Sequence, residues 1–422
     1  MRHEEAGAAD AVVLGVPGMT RNDAAVRVDH PYHRGTNQSG MRDYNERLVL
    51  SLVRIHGGLS KIEISRMTGL SAQTVSVIMR ELEAEGLLLR GEPVRGRIGQ
   101  PSVPMSLNPD GAFFLGLKVG RRSSELVLLD FLGKLRSMRH NAYAYPTPSG
   151  TIDFVLEGIE RISESLTPEQ NARIAGLGIA IPFELWNWAD ASGAPREVMD
   201  RWRDTDIAAE ITARCPFPVY LQNDATSACG AELVFGTSGA HRDFLYFYIG
   251  AFVGGGIVLN RGLYGGATGN AGALGSMPVP APGGGVRQLI DIASITVLEA
   301  TLAGQGLETG KLWSSPEEWG EIGKPLDKWI DEASSALAHA ILSASAVVDF
   351  EAAIIEGWMP LSVRKRLVET TSGRLARLDS EGLKPPIVKE GTVGIHARAL
   401  GGASLPLSDR FLIGSGAAMK NI

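Results

Sequence analysis

The spacing of hydrophobic residues changes near residue 110 of this chain. Before that point apolar side chains recur every three or four positions, as they do from Leu48 to Ile55, and this spacing is typical of amphipathic helices. Glycines interrupt the pattern and mark where helices end. The pattern predicts three short helices and then the two strands of a hairpin, over about 44–56, 60–69, 71–86, 87–89 and 103–107.

The starts of the second and third helices carry clear capping signals. Ser60 and Glu63 form an S-x-x-E capping box, and Ser71 can cap the third helix. On the third helix the apolar residues at 75, 78 and 82 share one face, which we expect to pack inward. The opposite face is polar, and its side chains are of the kinds that contact base edges and phosphates.

These signals together predict a winged helix-turn-helix over residues 41–108, with double-stranded DNA as its partner. The connection between the two strands is rich in Gly and Arg, a composition that suits the narrow, negatively charged minor groove. A helical module with a solvated loop is the alternative interpretation. The predicted DNA-contacting residues are Ser71, Gln73, Thr74, Ser76, Arg80, Arg95, Arg97 and Gln100.

After Pro109 strands and helices alternate, and the same succession occurs twice. A three-stranded meander followed by further strands and helices is typical of an α/β domain, and its repetition predicts two related lobes with a cleft between them. The predicted strands are 113–119, 124–131, 134–142, 174–181, 219–222, 244–249, 254–259, 352–355 and 386–389. The predicted helices are 152–166, 195–209, 225–235, 286–302, 326–348, 361–378 and one from 394, with a loop over 262–285.

Composition and charge limit the classes of protein. The 422 residues suffice for two or three domains, and the formal net charge is −6, although residues 41–108 hold nine Lys or Arg against seven Asp or Glu. Only two cysteines are present, which favours a reducing cytoplasm over a disulfide framework. No apolar run approaches the ~20 residues of a membrane span, so we expect a cytoplasmic protein without a membrane partner. Residues 1–40 lack periodicity and are predicted to be a disordered extension.

Several segments resemble the repressor branch of the ROK family (repressors, open reading frames, sugar kinases). They are RGTNQSGMRDYNERLVL, RGRIGQPSVPMSLNP, GLKVGRRSSELVLLDFLGKL, GLGIAIPF, LQNDATSACGAE and GGATGNAGALGSMPV. The resemblance implies an actin-like ATPase fold of two α/β lobes for residues 109–422, which would bind an effector and form a homo-oligomer, a dimer or a tetramer. It also implies a transcriptional repressor that answers to a sugar.

The chain departs from the family's kinases at the phosphate turn. The kinases carry D-x-G-G-T, whose glycines let backbone N–H groups approach phosphate, whereas this chain has Lys118-Val119-Gly120-Arg121-Arg122. A later glycine pair of the family is Glu356-Gly357 here, and a carboxylate repels a triphosphate. We therefore expect neither ATP binding nor phosphoryl transfer, and no cofactor.

The sugar-binding residues are only partly kept. Asp224 stands where the family places the base that takes a proton from the sugar hydroxyl. Without a phosphate site we expect it to bind a hydroxyl, to cap the helix that follows, or to do both. The family's G-E-x-G-H segment reads Gly272-Ala273-Leu274-Gly275-Ser276 here, and the cysteines expected after it are absent. No zinc site is predicted, because zinc needs about four N or S ligands.

Aromatic residues follow the strand that ends near Ile181. Aromatic faces stack on sugar C–H surfaces, so this loop is a candidate binding element, while packing in a core or an interface is the alternative. The predicted effector-binding residues are Phe183, Trp186, Asn223, Asp224, Asn270 and Ser276. The sequence thus predicts a DNA-binding regulator controlled by a sugar, polyol or sugar derivative. A sugar kinase with a fused DNA-binding domain, or a regulator whose body binds a protein, remain as alternatives.

Overall fold

The N-terminal region forms the predicted helices and hairpin. The computed structural model describes residues 38–93, 102–189 and 193–413. The first elements are α1 (Gln38–His56), α2 (Lys61–Thr68), α3 (Ala72–Ala84), β1 (Leu88–Arg90) and β2 (Met105–Leu107), with the two strands antiparallel. Helix α1 begins at Gln38 rather than near Tyr44, while residues 1–37 of the predicted extension lie outside the described residues.

The predicted capping box determines where α2 begins. The Ser60 side chain accepts a hydrogen bond from the Glu63 backbone N–H, and the Glu63 carboxylate accepts one from the Ser60 backbone N–H at 2.8 Å. Gly69 ends α2 with a φ of +72°, a left-handed conformation that glycine adopts without strain. Leu59 adds a contact that the sequence did not indicate, because its backbone exchanges two hydrogen bonds with Met105 of β2.

The rest of the chain forms two lobes with the same strand arrangement. The strands are β3 (Phe113–Val119), β4 (Ser123–Leu129), β5 (Leu135–Ala142), β6 (Ile174–Ala180), β7 (Val219–Gln222), β8 (Phe244–Ile249), β9 (Val253–Leu259), β10 (Gly262–Tyr264), β11 (Pro278–Pro280), β12 (Val286–Gln288), β13 (Ala352–Gly357) and β14 (Ile387–Glu390). The first lobe has the order β5-β4-β3-β6-β7 and the second β10-β9-β8-β13-β14. In each lobe three antiparallel strands are followed by two parallel ones, and the repetition of the arrangement agrees with the prediction, although β10 of the second lobe was not predicted.

Helices connect and cover these sheets. They are α4 (Pro148–Ser165), α5 (Pro168–Asn171), α6 (Arg196–Asp204), α7 (Ile207–Thr212), α8 (Asp224–Phe235), α9 (Ile290–Ala293), α10 (Ile295–Gly304), α11 (Lys311–Ser314), α12 (Lys324–Ser345), α13 (Leu361–Leu375) and α14 (Ala397–Phe411). None of the described helices combines the length and apolarity that crossing a bilayer requires. The last helix, α14, returns to the first lobe and packs on β3, β6 and α8.

Three element predictions were wrong in part. The helix predicted over 195–209 is divided into α6 and α7, because Asp206 caps a new helix by accepting from the Ala209 N–H at 3.0 Å. The helix predicted over 286–302 begins as strand β12, which pairs with β11 across a turn of three glycines with positive φ. The stretch predicted as a loop over 262–285 contains the strands β10, which pairs with β9, and β11.

Glycines let α14 lie directly against the first sheet. A Cβ placed on Gly178 of β6 would lie 1.9 Å from the carbonyl oxygen of Gly402, and one on Gly116 of β3 would lie 2.2 Å from that of Ala399. No side chain fits at these distances, so the helix backbone touches the strands. These contacts set where α14 lies along the sheet in the observed arrangement.

The N-terminal helices and hairpin share one hydrophobic core with the first lobe. A single cluster of buried residues joins Val53 of α1 and Leu107 of β2 to Phe114 and Phe131 of the lobe and to Leu407 of α14. Burial of apolar surface contributes roughly 25 cal/mol per Å². The N-terminal helices and hairpin therefore pack on the two-lobed body through a hydrophobic contact with its first lobe, and a linker is not their only connection to it.

Candidate functional site

The predicted DNA-contacting face of α3 is accessible at its N-terminal end. Ser71 caps the helix by accepting from the Thr74 N–H at 3.1 Å, and Gln73 and Arg80 are exposed. Ser76 is half-buried, and its hydroxyl accepts from the Lys61 ammonium at 2.9 Å. Lys61 thus brings a positive charge from α2 to the same face. The predicted wing residues Arg95, Arg97 and Gln100 lie outside the described residues.

A surface groove runs between α3 and the first turns of α1. Asn45 and Arg42 of α1 line it together with Gln73 and Thr74. The sequence interpretation missed these α1 residues, because it assigned α1 to packing alone. The signal available was that positions 42 and 45 are polar and precede the apolar stripe that begins at Leu48.

A cluster of charged side chains lies where the two lobes meet. This interlobe site comprises Lys118 at the end of β3, Glu125 of β4, Asp224 at the start of α8, Tyr248 of β8, and His396 and Arg398 at the start of α14. The Lys118 ammonium lies 3.4 Å from the Glu125 carboxylate, which lies 3.0 Å from Nδ1 of His396. Lys118 and Glu125 are both buried.

Burial and neighbouring charges shift the pKa values of this pair in the same direction, downward. Burial lowers the pKa of Lys118 to about 8, and the charge of Arg398 adds to this effect. Burial alone would raise the pKa of Glu125, but the hydrogen bond with His396 and the charge of Lys118 outweigh it and bring the pKa to about 2. At neutral pH the two groups therefore form a charged pair.

Asp224 is held by the C-terminal helix. Its Oδ2 accepts a hydrogen bond from Nη1 of Arg398 at 3.1 Å, and its Oδ1 accepts one from the Ala225 N–H at 3.0 Å. Asn223 is the N-cap of α8, since its Oδ1 accepts from the N–H groups of Ala225 and Thr226. The capping role considered for Asp224 thus belongs chiefly to its neighbour Asn223.

Two polar atoms of the interlobe site are buried without a partner among the described residues. They are the hydroxyl of Tyr248 and Nε of Arg398. The Arg398 guanidinium lies over the Tyr248 ring, 4.9 Å from its centroid. A buried polar group without a hydrogen bond is destabilising by about 1–3 kcal/mol, so both atoms favour a polar ligand at this position.

Contacts across the lobes surround this site. The Arg121 guanidinium of the first lobe lies 3.6 Å from the Glu299 carboxylate of the second and 5.8 Å from the Trp313 ring centroid. The Lys118 ammonium lies 6.0 Å from the Trp358 ring centroid, also in the second lobe. Lys118 and Arg121 belong to the altered phosphate turn, and both thus lie next to side chains of the second lobe.

The other predicted effector residues have different surroundings. Trp186 packs against the core of the first lobe, and Arg203 lies 5.8 Å from its ring centroid. Phe183 is half-buried. Asn270 and Ser276 are exposed on the connection between β10 and β11. Sequence reasoning missed Glu125, His396 and Arg398, which form the ion pairs of the interlobe site, and it missed Tyr248, whose ring lies under Arg398.

Comparison with known proteins identifies the family of the chain. The ROK family model matches residues 114–405, and a model of winged helix-turn-helix DNA-binding domains matches residues 42–88. The chain belongs to the ROK family. An uncharacterized protein of Sinorhizobium fredii, y4fQ, is 26% identical over 377 residues, which are 88% of this chain and 92% of that protein.

Regulators and kinases of the family are both similar to the chain. The xylose repressor of Bacillus spizizenii is 26% identical over 243 residues, 58% of this chain and 62% of the repressor. A ROK family transcriptional regulator, described as a homolog of the E. coli MLC protein, superposes with a TM-score of 0.64 at 19% identity over 88% of this chain and 98% of that one. A Streptomyces griseus ROK glucokinase reaches 0.52 at 19% identity, over 70% and 99%. These structures show the same fold.

Backbone N–H groups after β14 are occupied by the protein's own carboxylates. Buried Glu232 accepts from the N–H groups of Thr392 and Val393 at 2.8 and 3.3 Å. Buried Glu356 accepts from the Gly394 N–H at 2.6 Å and from the hydroxyl of Tyr246 at 2.8 Å. In this ROK body a row of donors that could face an anion is thus directed at internal glutamates.

Proposed function

We propose that this chain is a transcriptional repressor whose DNA binding is controlled by a sugar, polyol or sugar derivative held at the interlobe site. The observation that carries the proposal is the exposed polar start of α3 on a winged helix whose core is continuous with the ROK body. That core lets a change in the body move the DNA-binding helices. The body acts as a sensor rather than as an enzyme.

DNA recognition follows from the geometry of winged helices. Helix α3 enters the major groove with Gln73 and Thr74 at base edges, while Arg80 contacts a phosphate. The wing residues Arg95 and Arg97 contact the minor groove. A homodimer presents two such helices to a pseudo-palindromic operator, with half-sites about one helical turn or more apart.

The effector is expected to be rich in hydroxyl groups. The unpartnered Tyr248 hydroxyl and Arg398 Nε offer hydrogen bonds, and the Asp224 carboxylate accepts them. A polyol supplies both donors and acceptors in such an arrangement. The effector controls DNA binding only if it binds two conformations of the body with different affinity.

Genome-wide footprinting of bound DNA tests the DNA-binding proposal. The wild-type protein is expected to protect a palindromic site, and Gln73→Ala to weaken that site by about 1–3 kcal/mol and relax its sequence preference. Arg377→Ala, which removes an exposed charge of the second lobe, is the control and leaves affinity unchanged. Equal protection by the Gln73→Ala protein at every site would contradict the assignment of α3.

Titration with a broad carbohydrate panel tests the effector. We expect one class of sugar or polyol to raise the melting temperature, because a ligand of the native state stabilises it by mass action. A panel without heat of binding or thermal shift would argue against the effector. Capture of a protein from cell extract, together with that result, would support a body that binds a protein partner.

A further inference from the structure

Helix α14 connects the interlobe site with the DNA-binding region. Its first turn carries His396 and Arg398, which contact Glu125 and Asp224. Its 15 residues span about 22 Å at 1.5 Å per residue. Its far end lies in the hydrophobic cluster that contains α1. One element thus reaches from the charged site to the first helix of the winged domain.

The far end of α14 is fastened to α1 by polar and aromatic contacts. The Ile413 N–H donates to the hydroxyl of Ser51 in α1 at 3.1 Å. The Phe411 ring lies 5.0 Å from the ring of Phe131, measured between centroids. Arg54 of α1 covers the same Phe131 ring and donates to its carbonyl oxygen. A displacement of this end of α14 therefore moves α1.

Close backbone contacts make the middle of α14 a rigid connection. A Cβ on Gly401 would lie 1.9 Å from the Ser227 carbonyl oxygen of α8, and one on Gly402 would lie 2.7 Å from that of Gly178. Packed interfaces of this kind have discrete arrangements and do not deform continuously. Pro406 has no N–H to donate to the Gly402 carbonyl, so one bond of the helical ladder is missing between the two ends.

We propose that α14 transmits ligand occupancy of the interlobe site to the DNA-binding helices, with Arg398 as the residue that positions it. This inference rests on the proposed function, because it requires a ligand at Asp224 and a response at α3. A ligand that competes for the Asp224 carboxylate releases Arg398. Helix α14 then shifts along the first lobe, and its contacts with Ser51 and Phe131 carry the shift to α1. The coupling is reciprocal by linkage.

Hydrogen exchange of the free protein tests this coupling without the ligand. Arg398→Gln is expected to speed exchange in residues 48–56 of α1 at least fivefold, while strand β13 in the second lobe serves as the internal reference and stays unchanged. Arg366→Gln is the matched control, because it removes an arginine that pairs with Asp327 between α13 and α12 of the second lobe. For this control we expect exchange in α1 within twofold of wild type.

Two further variants separate coupling from damage to the fold. Arg398→Lys keeps the charge beside Asp224 and should restore most of the protection in α1. Ser51→Ala removes the acceptor of the Ile413 N–H, and by reciprocity it should speed exchange at residues 396–400. If Arg398→Gln changes only residues around 224 and 398, or speeds exchange equally in β13, the inference is wrong.

DNA binding is measured on the same variants as a separate readout. Arg398→Gln should change operator affinity at least fivefold and Arg366→Gln by less than twofold. A wild-type protein that binds no specific DNA would refute the proposed function while the exchange experiment still reports on α14. Normal operator binding by wild type with no response of α1 to Arg398→Gln would refute the coupling alone.

Discussion

Oδ2 of Asp224 lies 3.1 Å from Nη1 of Arg398, a residue 174 positions later in the chain. The carboxylate that would act as a base in a sugar kinase is therefore already paired with a guanidinium. A charge-assisted hydrogen bond of this kind satisfies the carboxylate oxygen that accepts it. A hydroxyl that hydrogen-bonds to Oδ2 of Asp224 either shares this oxygen with Arg398 or displaces the guanidinium from it.

The first prediction concerns phosphoryl transfer. With Mg-ATP and a panel of hexoses, pentoses and amino sugars, the protein should release no ADP above the blank, because Lys118 replaces the acidic residue of the phosphate turn and Glu232 and Glu356 occupy nearby N–H groups. A coupled ADP assay with a ROK glucokinase run in parallel is the measurement. Sugar-dependent ADP release that disappears in Asp224→Asn would overturn the prediction.

The second prediction separates stability from DNA contact in the winged domain. Ser60 and Ser71 cap consecutive helices, but Ser60 is buried and Ser71 is exposed at the start of α3. Each Ser→Ala substitution should destabilise the protein by about 1 kcal/mol in urea denaturation, since an N-cap is lost.

Operator affinity distinguishes the two caps. Ser60→Ala should bind DNA as the wild type does once the folded fraction is accounted for, whereas Ser71→Ala should lose a further severalfold, measured by fluorescence anisotropy. Equal affinity of the two variants would show that Ser71 does not contact DNA.

The third prediction tests the contact between α14 and the first sheet. Gly178→Ala places a methyl group 1.9 Å from the Gly402 carbonyl, so the helix must move, and we expect a loss of about 3 kcal/mol or more. Gly373→Ala is the matched control at an exposed position of α13, where nothing lies within 4 Å of the added Cβ, and it should stabilise by about 0.5–1 kcal/mol. A neutral Gly178→Ala would mean that the Gly178–Gly402 contact does not determine where the helix packs.

The sequence predicted local structure well where the signal was local. Strand β3 and the capping box of α2 were found with their observed bounds, because a short apolar run that ends at a glycine turn and the S-x-x-E spacing are both local signals. The helix predicted over 286–302 was wrong in part because its determinants are tertiary. Ser294 interrupts it by accepting from the Val253 N–H while donating to the Ile290 carbonyl. Helical periodicity also gives no indication that β12 pairs with β11.

Only part of the interlobe site could be predicted for the same reason. Asp224 and Lys118 stand next to strand ends that the pattern marks, so resemblance was enough to single them out. His396 and Arg398 lie at the start of a helix and belong to no motif, and only the return of α14 to the first lobe brings them to Glu125 and Asp224.

The last prediction uses Glu356, whose pKa is raised to about 7, chiefly by burial. The unfolded chain releases this proton near pH 4.5, so between about pH 4.5 and 7 the native state binds more protons and loses stability as the pH rises. Glu356→Gln removes this loss. Its free energy of unfolding relative to wild type should therefore increase from pH 4.5 to 7 by an amount on the order of 2 kcal/mol, and level off above pH 7.

Glu390→Gln is the control, since it removes a more exposed carboxylate from the same Arg364. A parallel pH profile for wild type and Glu356→Gln in urea denaturation would show that Glu356 is ionised throughout and paired with Arg364.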